Sequence, residues 1–360
     1  MQIFIVTQTF PPRRGGMQSV MLSLAQELCL INKTIIMPNH YVPKNLNLDK
    51  SIQIYQPFFI KFFKSFYKKI ILSFCAYEQD IFICDSWKSL NSIPLKFNKN
   101  IFVLAHGQEY LEKKKQNRIT NYLKRATAII SNSNYTNNLV SKFNKGGAKQ
   151  YIIPPTYMLP NNIIKQKKRI SEKVVFITIG RLERRKGFIE SLNALHHIHI
   201  KNKKLNFEWN IIGNGTLLKS MKKYIAQNSL DHLIKIYPNI NEVDKSKLLM
   251  ISDIFIMPSY KVNNSIEGFG IVYAEAARYG IPSIAGKVGG VTDVVMNNIN
   301  GWNIDPTNYN SFQKLLMKLI RNKKEILPLG HNAQKIYLER FSKKNSLSKF
   351  LEIIKIDEKK

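Results

Sequence analysis

Two glutamates, Glu267 and Glu275, stand eight positions apart in the stretch "SIEGFGIVYAEAARYGIPSIAG", residues 265–286. Between them lies a Gly-x-Gly turn, Gly268-Phe269-Gly270, and after them come Gly280 and Pro282. An ionised carboxylate only accepts hydrogen bonds, on two oxygens, which suits the vicinal hydroxyls of a ribose or a hexose. Glycines let backbone N–H groups approach a phosphate closely, and the start of a helix favours its charge. The pattern predicts a helix over Ile271–Tyr279 that opens at Phe269-Gly270, is capped by Gly280 and precedes a strand from Pro282. Glu275 then lies about one turn into that helix, with Glu267 just ahead of it.

Three further segments carry complementary chemistry. "GRLERRKG", Gly180–Gly187, crowds three arginines and a lysine into one loop. Arginine offers a planar fork and lysine a point charge, which together suit a diphosphate. "FPPRRGG", Phe10–Gly16, ends in Gly15 and Gly16 just ahead of a helical pattern over Met17–Leu28, another place for a phosphate. "AHGQE", Ala105–Glu109, puts His106 where an apolar run ends.

These segments are positioned by short apolar runs that alternate with helical patterns. The runs predict strands at Ile3–Thr7, Thr34–Met37, Ile81–Cys84, Ile101–Ala105, Ala128–Ser131, Tyr151–Ile153, Val174–Ile179, Glu208–Ile212, Ile234–Tyr237, Ile254–Met257 and Pro282–Ala285. Such alternation is the signature of α/β units with parallel sheets, whose ligands sit at the carboxyl ends of the strands. The series runs twice, separated by a polar, basic stretch over Leu159–Lys173. The expectation is two Rossmann-like domains facing a central cleft: residues 1–163, residues 164–340, and a C-terminal helix over 341–360 for which crossing back to the first domain is one course.

Composition sets the surroundings. Of 360 residues, 44% are hydrophobic, enough for two cores. Lysine and arginine number 55 against 24 acids, a net charge of +31, yet the block 251–300 holds three bases and four acids, Glu267 and Glu275 among them. Dispersed basic charge suits anionic partners, whether phosphorylated small molecules, an acidic membrane leaflet or nucleic acid. No motif supports nucleic acid, which is not expected as a partner. Cys29, Cys75 and Cys84 show no metal-type spacing and leave one thiol over in any pairing, which predicts a reducing compartment. With neither a leader-like N-terminus nor an 18-residue apolar run, the expectation is a cytoplasmic protein.

The ordered set of motifs resembles the family 4 glycosyltransferases, which have the GT-B fold. Glu267 and Glu275 match that family's E-x7-E motif, and "GRLERRKG" resembles its phosphate loop; "IIGNGTLLKSM", "SDIFIMPS" and "GGVTDVV" resemble further segments. "FPPRRGGMQSV" with "HGQE" resembles the mannosyltransferases acting on phosphatidylinositol mannosides. The resemblance implies a retaining transfer of a hexosyl group, mannosyl among the candidates, from a GDP- or UDP-linked sugar to a lipid-linked or saccharide acceptor. It implies no cofactor and no bound metal, and the chain has no D-x-D pair. Carried over, Arg181 and Lys186 would neutralise the departing diphosphate, Glu267 would contact the transferred sugar and Glu275 the ribose. The amides of Phe269, Gly270 and Ile271 would touch sugar and phosphate. Gly15 and Gly16 would complete the phosphate site, and His106 would contact the sugar near the reacting carbon. The setting this implies is surface-glycan or glycolipid assembly, in the cytoplasm or peripherally on the inner face of its membrane.

Other readings are weaker. Gly213-Asn214-Gly215 begins a dinucleotide fingerprint but has Leu218 where the third glycine belongs. His196, His197 and His199 fall inside a helical pattern without an acidic or cysteine partner nearby. A GT-B-fold nucleotide-sugar epimerase would want more acids in the cleft. A non-catalytic protein binding anionic ligands would not need Glu267, Glu275, Arg181 and Lys186 together. One stretch has two readings: in Pro57–Phe74, Phe59, Phe62, Phe63, Phe66 and Ile70 fall on one helical face and Lys61, Lys64 and Lys68 on another. Either its aromatic face packs on the first sheet, or it lies in a membrane interface with its lysines on anionic lipid.

Overall fold

The computed structural model describes residues 1–13, 15–43, 46, 48–57, 63–160 and 173–354. Arg14, Phe59, Lys61, Phe62 and most of the Leu159–Lys173 stretch therefore lie outside the described residues. The chain divides into two compact units, Met1–Pro160 with Ser342–Lys360, and Asn161–Phe341.

The first unit is built on seven strands: β1 (Ile3–Val6), β2 (Thr34–Met37), β3 (Ile52–Ile54), β4 (Ile81–Cys84), β5 (Ile101–Ala105), β6 (Ala128–Ser131) and β7 (Lys149–Ile152). All pair in parallel, in the order β3-β2-β1-β4-β5-β6-β7. The central strands, such as "IFIV" and "IFIC", are buried along their whole length, because helices cover both faces of a parallel sheet. Its helices are α1 (Gly16–Leu28), α2 (Lys64–Cys75), α3 (Gln116–Leu123) and α4 (Asn134–Ser141).

The second unit has six parallel strands: β8 (Val174–Ile179), β9 (Phe207–Ile212), β10 (Ile234–Tyr237), β11 (Ile254–Met257), β12 (Ser283–Gly286) and β13 (Gly301–Ile304), in the order β10-β9-β8-β11-β12-β13. Its helices are α5 (Phe188–Lys201), α6 (Leu218–Gln227), α7 (Glu242–Met250), α8 (Ile271–Arg278), α9 (Tyr309–Arg321) and α10 (Ile326–Ile336). The last helix, α11 (Lys343–Ile353), belongs with the first unit. There Ser346 donates to the Pro154 carbonyl at 2.5 Å, Lys343 pairs with Glu27 at 2.5 Å and the Phe350 ring lies 6.0 Å from Tyr157.

Two strands have no counterpart among the apolar runs. β3 and β13 each close one edge of a sheet and are partly exposed. An edge strand buries less, so "IQI" and "GWNI" show no continuous hydrophobic run.

α2 corrects an expectation. Neither reading of Pro57–Phe74 holds for Lys68, which faces neither water nor lipid, and Lys64 is half-buried beside it. Lys68 is 2% exposed and donates to the Thr7 carbonyl at 3.0 Å and to Asn39 Oδ1 at 2.6 Å, while Lys64 donates to the Asn39 carbonyl at 2.5 Å. Burial pulls the Lys68 amine down to about 7, against the opposing pull of Asp85. The aromatic stripe faces outward instead: Phe63, Phe66, Ile70 and Phe74 are all exposed, Phe74 at 83%, while Leu72 alone of the helix's apolar residues is fully buried among the described residues. The physical reason is that the loops after β1 and β2 end in carbonyls, which a lysine can satisfy and a phenylalanine cannot.

Candidate active site

In the second sheet β8 has β9 on one side and β11 on the other, so its order reverses between β8 and β11. Loops leaving neighbouring strands at that point diverge and leave room for a ligand. The loop after β8 is Gly180–Gly187 and the one after β11 runs from Pro258 to Gly270.

The first loop ends in a single 3-10 turn, Arg184–Lys186, which turns Arg185 and Lys186 inward and leaves Arg184 exposed. Gly187 closes it in a left-handed conformation, where a Cβ would lie 2.5 Å from the Pro258 carbonyl oxygen. From the second loop Glu267 receives Arg185 Nη1 at 2.8 Å and Lys186 Nζ at 3.0 Å. All three side chains are largely buried, at 8%, 10% and 15% exposure for Arg185, Lys186 and Glu267. The Glu267 backbone is fixed too: its carbonyl accepts from Gly290 N at 3.0 Å, and a Cβ on Gly289 would approach that oxygen to 2.1 Å. Burial alone would raise the Glu267 carboxyl, but Lys186 and Arg185 outweigh it and hold it at about 2. Glu267 is thus an anion throughout the neutral range, an acceptor for hydroxyls and not a proton donor.

α8 begins at Gly270, in a left-handed conformation, and Phe269 packs its ring 6.0 Å from Phe341. Tyr273, in the first turn, donates to the Met257 carbonyl at 2.5 Å and pairs with the Ser259 hydroxyl at 2.9 Å, tying α8 to the end of β11. The helix ends with Gly280 N bonded to the Ala277 carbonyl at 2.9 Å and Ile281 N to that of Ala276 at 3.1 Å, a Schellman closure. One turn into α8, Glu275 pairs with Lys245 of α7 at 2.8 Å. Burial would lower the Lys245 amine, but Glu275 and Glu242 raise it above its ordinary value.

Arg181 stands at the margin. Its side chain is 67% exposed and bonds Glu183 at 2.8 Å, which reaches Arg185 Nε at 3.5 Å. The structure therefore gathers Lys186 and Glu267 with Arg185, which the resemblance did not single out, and joins Arg181 to them only through Glu183. Its sequence signal was the crowding of "GRLERRKG"; which guanidinium turns inward depends on the 3-10 turn and the partner at 267. Lys245 gave no signal, since nothing in the chain between α7 and α8 announces the pair.

The first-unit candidates sit at the start of α1 and just past β5. Gly15 precedes α1 in a backbone conformation with φ +154, and Gly16 is the first residue of the helix. His106, just past β5, donates from ring Nε2 to the Asp85 carbonyl at 3.0 Å, and its backbone N–H donates to Glu109 Oε1 at 2.7 Å. His196, set aside as a ligand, pairs with the Tyr224 hydroxyl at 2.7 Å. Among the described residues no group of three or more His, Cys, Asp or Glu is placed to hold a metal, and no helix is long and apolar enough to cross a membrane.

Residues 160–336 match the family model described as "Glycosyl transferases group 1". The chain is 23% identical over 167 residues to the amylovoran biosynthesis glycosyltransferase AmsK of Erwinia amylovora, covering 46% of this chain and 40% of that protein. It is 22% identical over 169 residues to the GDP-mannose-dependent alpha-(1-6)-phosphatidylinositol monomannoside mannosyltransferase of Mycolicibacterium smegmatis, covering 46% and 44%. These alignments span less than half of either relative. Among solved structures, Anabaena HepE in complex with UDP-glucose superposes with a TM-score of 0.77 over 99% of both chains at 17% identity, a likeness of fold. The fold is GT-B, with two Rossmann-like parallel sheets.

Proposed function

Because residues 160–336 match the glycosyl transferases group 1 model, we propose that this chain is a retaining glycosyltransferase. It moves a hexosyl group from a nucleotide-sugar to a lipid-linked or saccharide acceptor. The observation that carries the reading is the buried Arg185–Glu267–Lys186 cluster at the switch point of the second sheet. Two fixed cations beside one carboxylate leave net positive charge where a diphosphate leaves. They are oriented before reaction, so charge is stabilised without reorganisation. Lys186 and Arg185, with Arg181 reaching in from the margin, take that charge without a metal or cofactor. Glu267 accepts from the sugar hydroxyls, Glu275 holds the ribose, and the amides of Phe269, Gly270 and Ile271 hold sugar and phosphate. Gly15, Gly16 and His106 are the first unit's own candidates for phosphate and sugar. The GDP- and UDP-linked sugars named for its relatives are the donors to try.

A thermal-shift series with UDP- and GDP-linked hexoses tests the reading, since a ligand at 100 times its dissociation constant adds ~2.7 kcal/mol of stability. One nucleotide should stabilise selectively, and the anomer of the product should match that of the donor. A chain that no nucleotide-sugar stabilises is not this enzyme.

Glu275→Gln should weaken nucleotide binding about tenfold, the worth of one hydrogen bond to a charged group, with turnover at saturating donor little changed. Unchanged nucleotide affinity would remove Glu275 from the ribose.

The proposed setting is peripheral, on the cytoplasmic face of an anionic membrane. Exposed Phe63, Phe66, Ile70 and Phe74 form one stripe on α2, beside exposed Leu95 and Lys96, the latter bonded to the Ser73 carbonyl at 2.8 Å. Apolar side chains on one face with basic residues at its border suit the interface of an acidic bilayer. Because Lys64 and Lys68 serve the interior, the informative substitutions are apolar. Phe66→Ser/Phe74→Ser should lower co-sedimentation with anionic vesicles at least tenfold and leave thermal stability nearly unchanged. Sedimentation equal to wild type would make the stripe irrelevant to membranes.

A further inference from the structure

The first sheet has a switch point of its own. β1 has β2 on one side and β4 on the other, and the residues just past these three strands are Gln8, Asn39 and Trp87. They border a cavity of about 340 Å³, completed on its basic side by Lys88, Lys115 and Arg118. All lie within the first unit, and none belongs to the Arg185–Glu267–Lys186 cluster.

The cations are held in ways that leave their charge available. The Arg118 guanidinium lies 5.9 Å from the Trp87 ring centre and 5.5 Å from that of Tyr122, and Tyr122 is anchored by donating to Asn91 Oδ1 at 2.9 Å. The Lys88 ammonium lies 5.7 Å from the same indole. Stacking on rings orients a cation without neutralising it. Among the described residues neither Lys88 nor Arg118 forms an ion pair, and Lys115 alone pairs, with the exposed Glu112.

The remaining polar groups point the same way. Asn39 uses Oδ1 to accept from buried Lys68, which leaves its amide N–H groups as donors. Asp85, a buried carboxylate behind the lining residues Gln8 and Ser89, is consumed: it accepts from Thr7 Oγ1 at 2.8 Å, Gln8 N at 2.7 Å and Ser89 Oγ at 2.6 Å. The cavity therefore offers donors and three cations, opposed at its rim by exposed Glu112, which pairs with Lys115 and feels Lys88. That chemistry selects an anion with several acceptor oxygens. α2 contributes Ser65 to the wall while turning its phenylalanine stripe to the outside, so a headgroup could enter beside the surface proposed to meet lipid.

We propose that this cavity is a phosphate-binding subsite of the first unit, seating the phosphate that links the acceptor to its lipid through Lys88, Lys115 and Arg118. The proposal rests on the transferase reading for the identity of the ligand, and on the cavity alone for its charge. A place in a reaction sequence follows: the preceding step must deliver an acceptor that still carries its phosphate.

The test reads binding directly, apart from sugar transfer. Trp87 reports on the cavity, so quenching of intrinsic fluorescence by a short-chain prenyl phosphate, the corresponding uncharged prenol and inorganic phosphate can be compared, with Trp87→Phe as the control for signal. The prenyl phosphate should bind in the wild type, at least tenfold more tightly than inorganic phosphate, and the prenol should not compete. Lys88→Gln/Arg118→Gln should weaken that binding at least tenfold while nucleotide binding stays as in wild type. In transfer assays the same pair should raise KM for a phosphate-linked acceptor and leave KM for the donor unchanged. Prenyl phosphate binding that survives in the double variant overturns the subsite. Inorganic phosphate binding as tightly as the prenyl phosphate would assign the cavity to a free anion and overturn the acceptor role. Binding lost in the double variant, in a protein with no transfer activity, would uphold the anion site while the transferase reading falls.

Discussion

Lys186→Ala should lower transfer by about 10²–10³-fold, the usual cost of one preorganised donor to developing charge. Lys186 is buried, bonded to Glu267 at 3.0 Å and backed by Met257 Sδ at 3.6 Å, so its ammonium has one position to occupy. The variant should fold, because Arg185 still holds Glu267 at 2.8 Å. The loss belongs in kcat more than in donor affinity, since the charge it meets is greatest as the diphosphate departs. Arg181→Ala is the informative companion. Its side chain is exposed and, among the described residues, ion-paired only with Glu183, so its removal should leave stability within ~0.5 kcal/mol of wild type. Any fall in turnover there reports on function and not on folding. Near-normal transfer by folded Lys186→Ala protein would remove this lysine from the mechanism.

The strands that carry these residues were legible because they are buried on both sides. "IFIV", "IFIC" and "IFIM" are continuous apolar runs, "VVFITI" is broken only by Thr178, and each is a central strand. β3 and β13 were not, since an edge needs fewer apolar residues. The start and stop of α8 were legible through Gly270 and Gly280, whose left-handed conformations disfavour other residues. The orientation of α2 was not. Its amphipathic pattern says that two faces differ, and hydrophobicity says which should turn inward. The carbonyls beyond β1 and β2, and the Asn39 side chain, reverse that choice, and they are remote in sequence from Lys64 and Lys68. Arg185 shows the same limit at the site. Three adjacent basic residues are equivalent as a pattern, and only the turn at Arg184–Lys186 and the position of Glu267 tell them apart.

Glu267→Gln should nearly abolish transfer, by 10²-fold or more on the same scale, while leaving nucleoside diphosphate binding intact or tighter. The glutamine keeps the volume but turns an anion that accepts from Arg185 and Lys186 into a neutral amide with donors of its own. Two buried cations lose their counter-charge, which destabilises the free protein by ~3–5 kcal/mol and makes those cations more available to a diphosphate. Opposite movements of kcat and diphosphate affinity would not follow from simple loss of structure, which lowers both. The acid limb of stability supplies a second, independent measure. Glu267 falls from its ordinary 4.5 to about 2 in the folded chain. A lowered carboxyl contributes stability that is fully present above the unfolded value and lost as pH falls through the folded one. Wild type should therefore lose on the order of 3 kcal/mol from this group between about pH 4.5 and pH 2. Denaturant unfolding followed across that window should show a shallower decline in Glu267→Gln, because the variant has no proton to take up at 267. Parallel declines in the two proteins would mean that Glu267 is not held ionised by Arg185 and Lys186. The electrostatic account of this site would then lose its central pair.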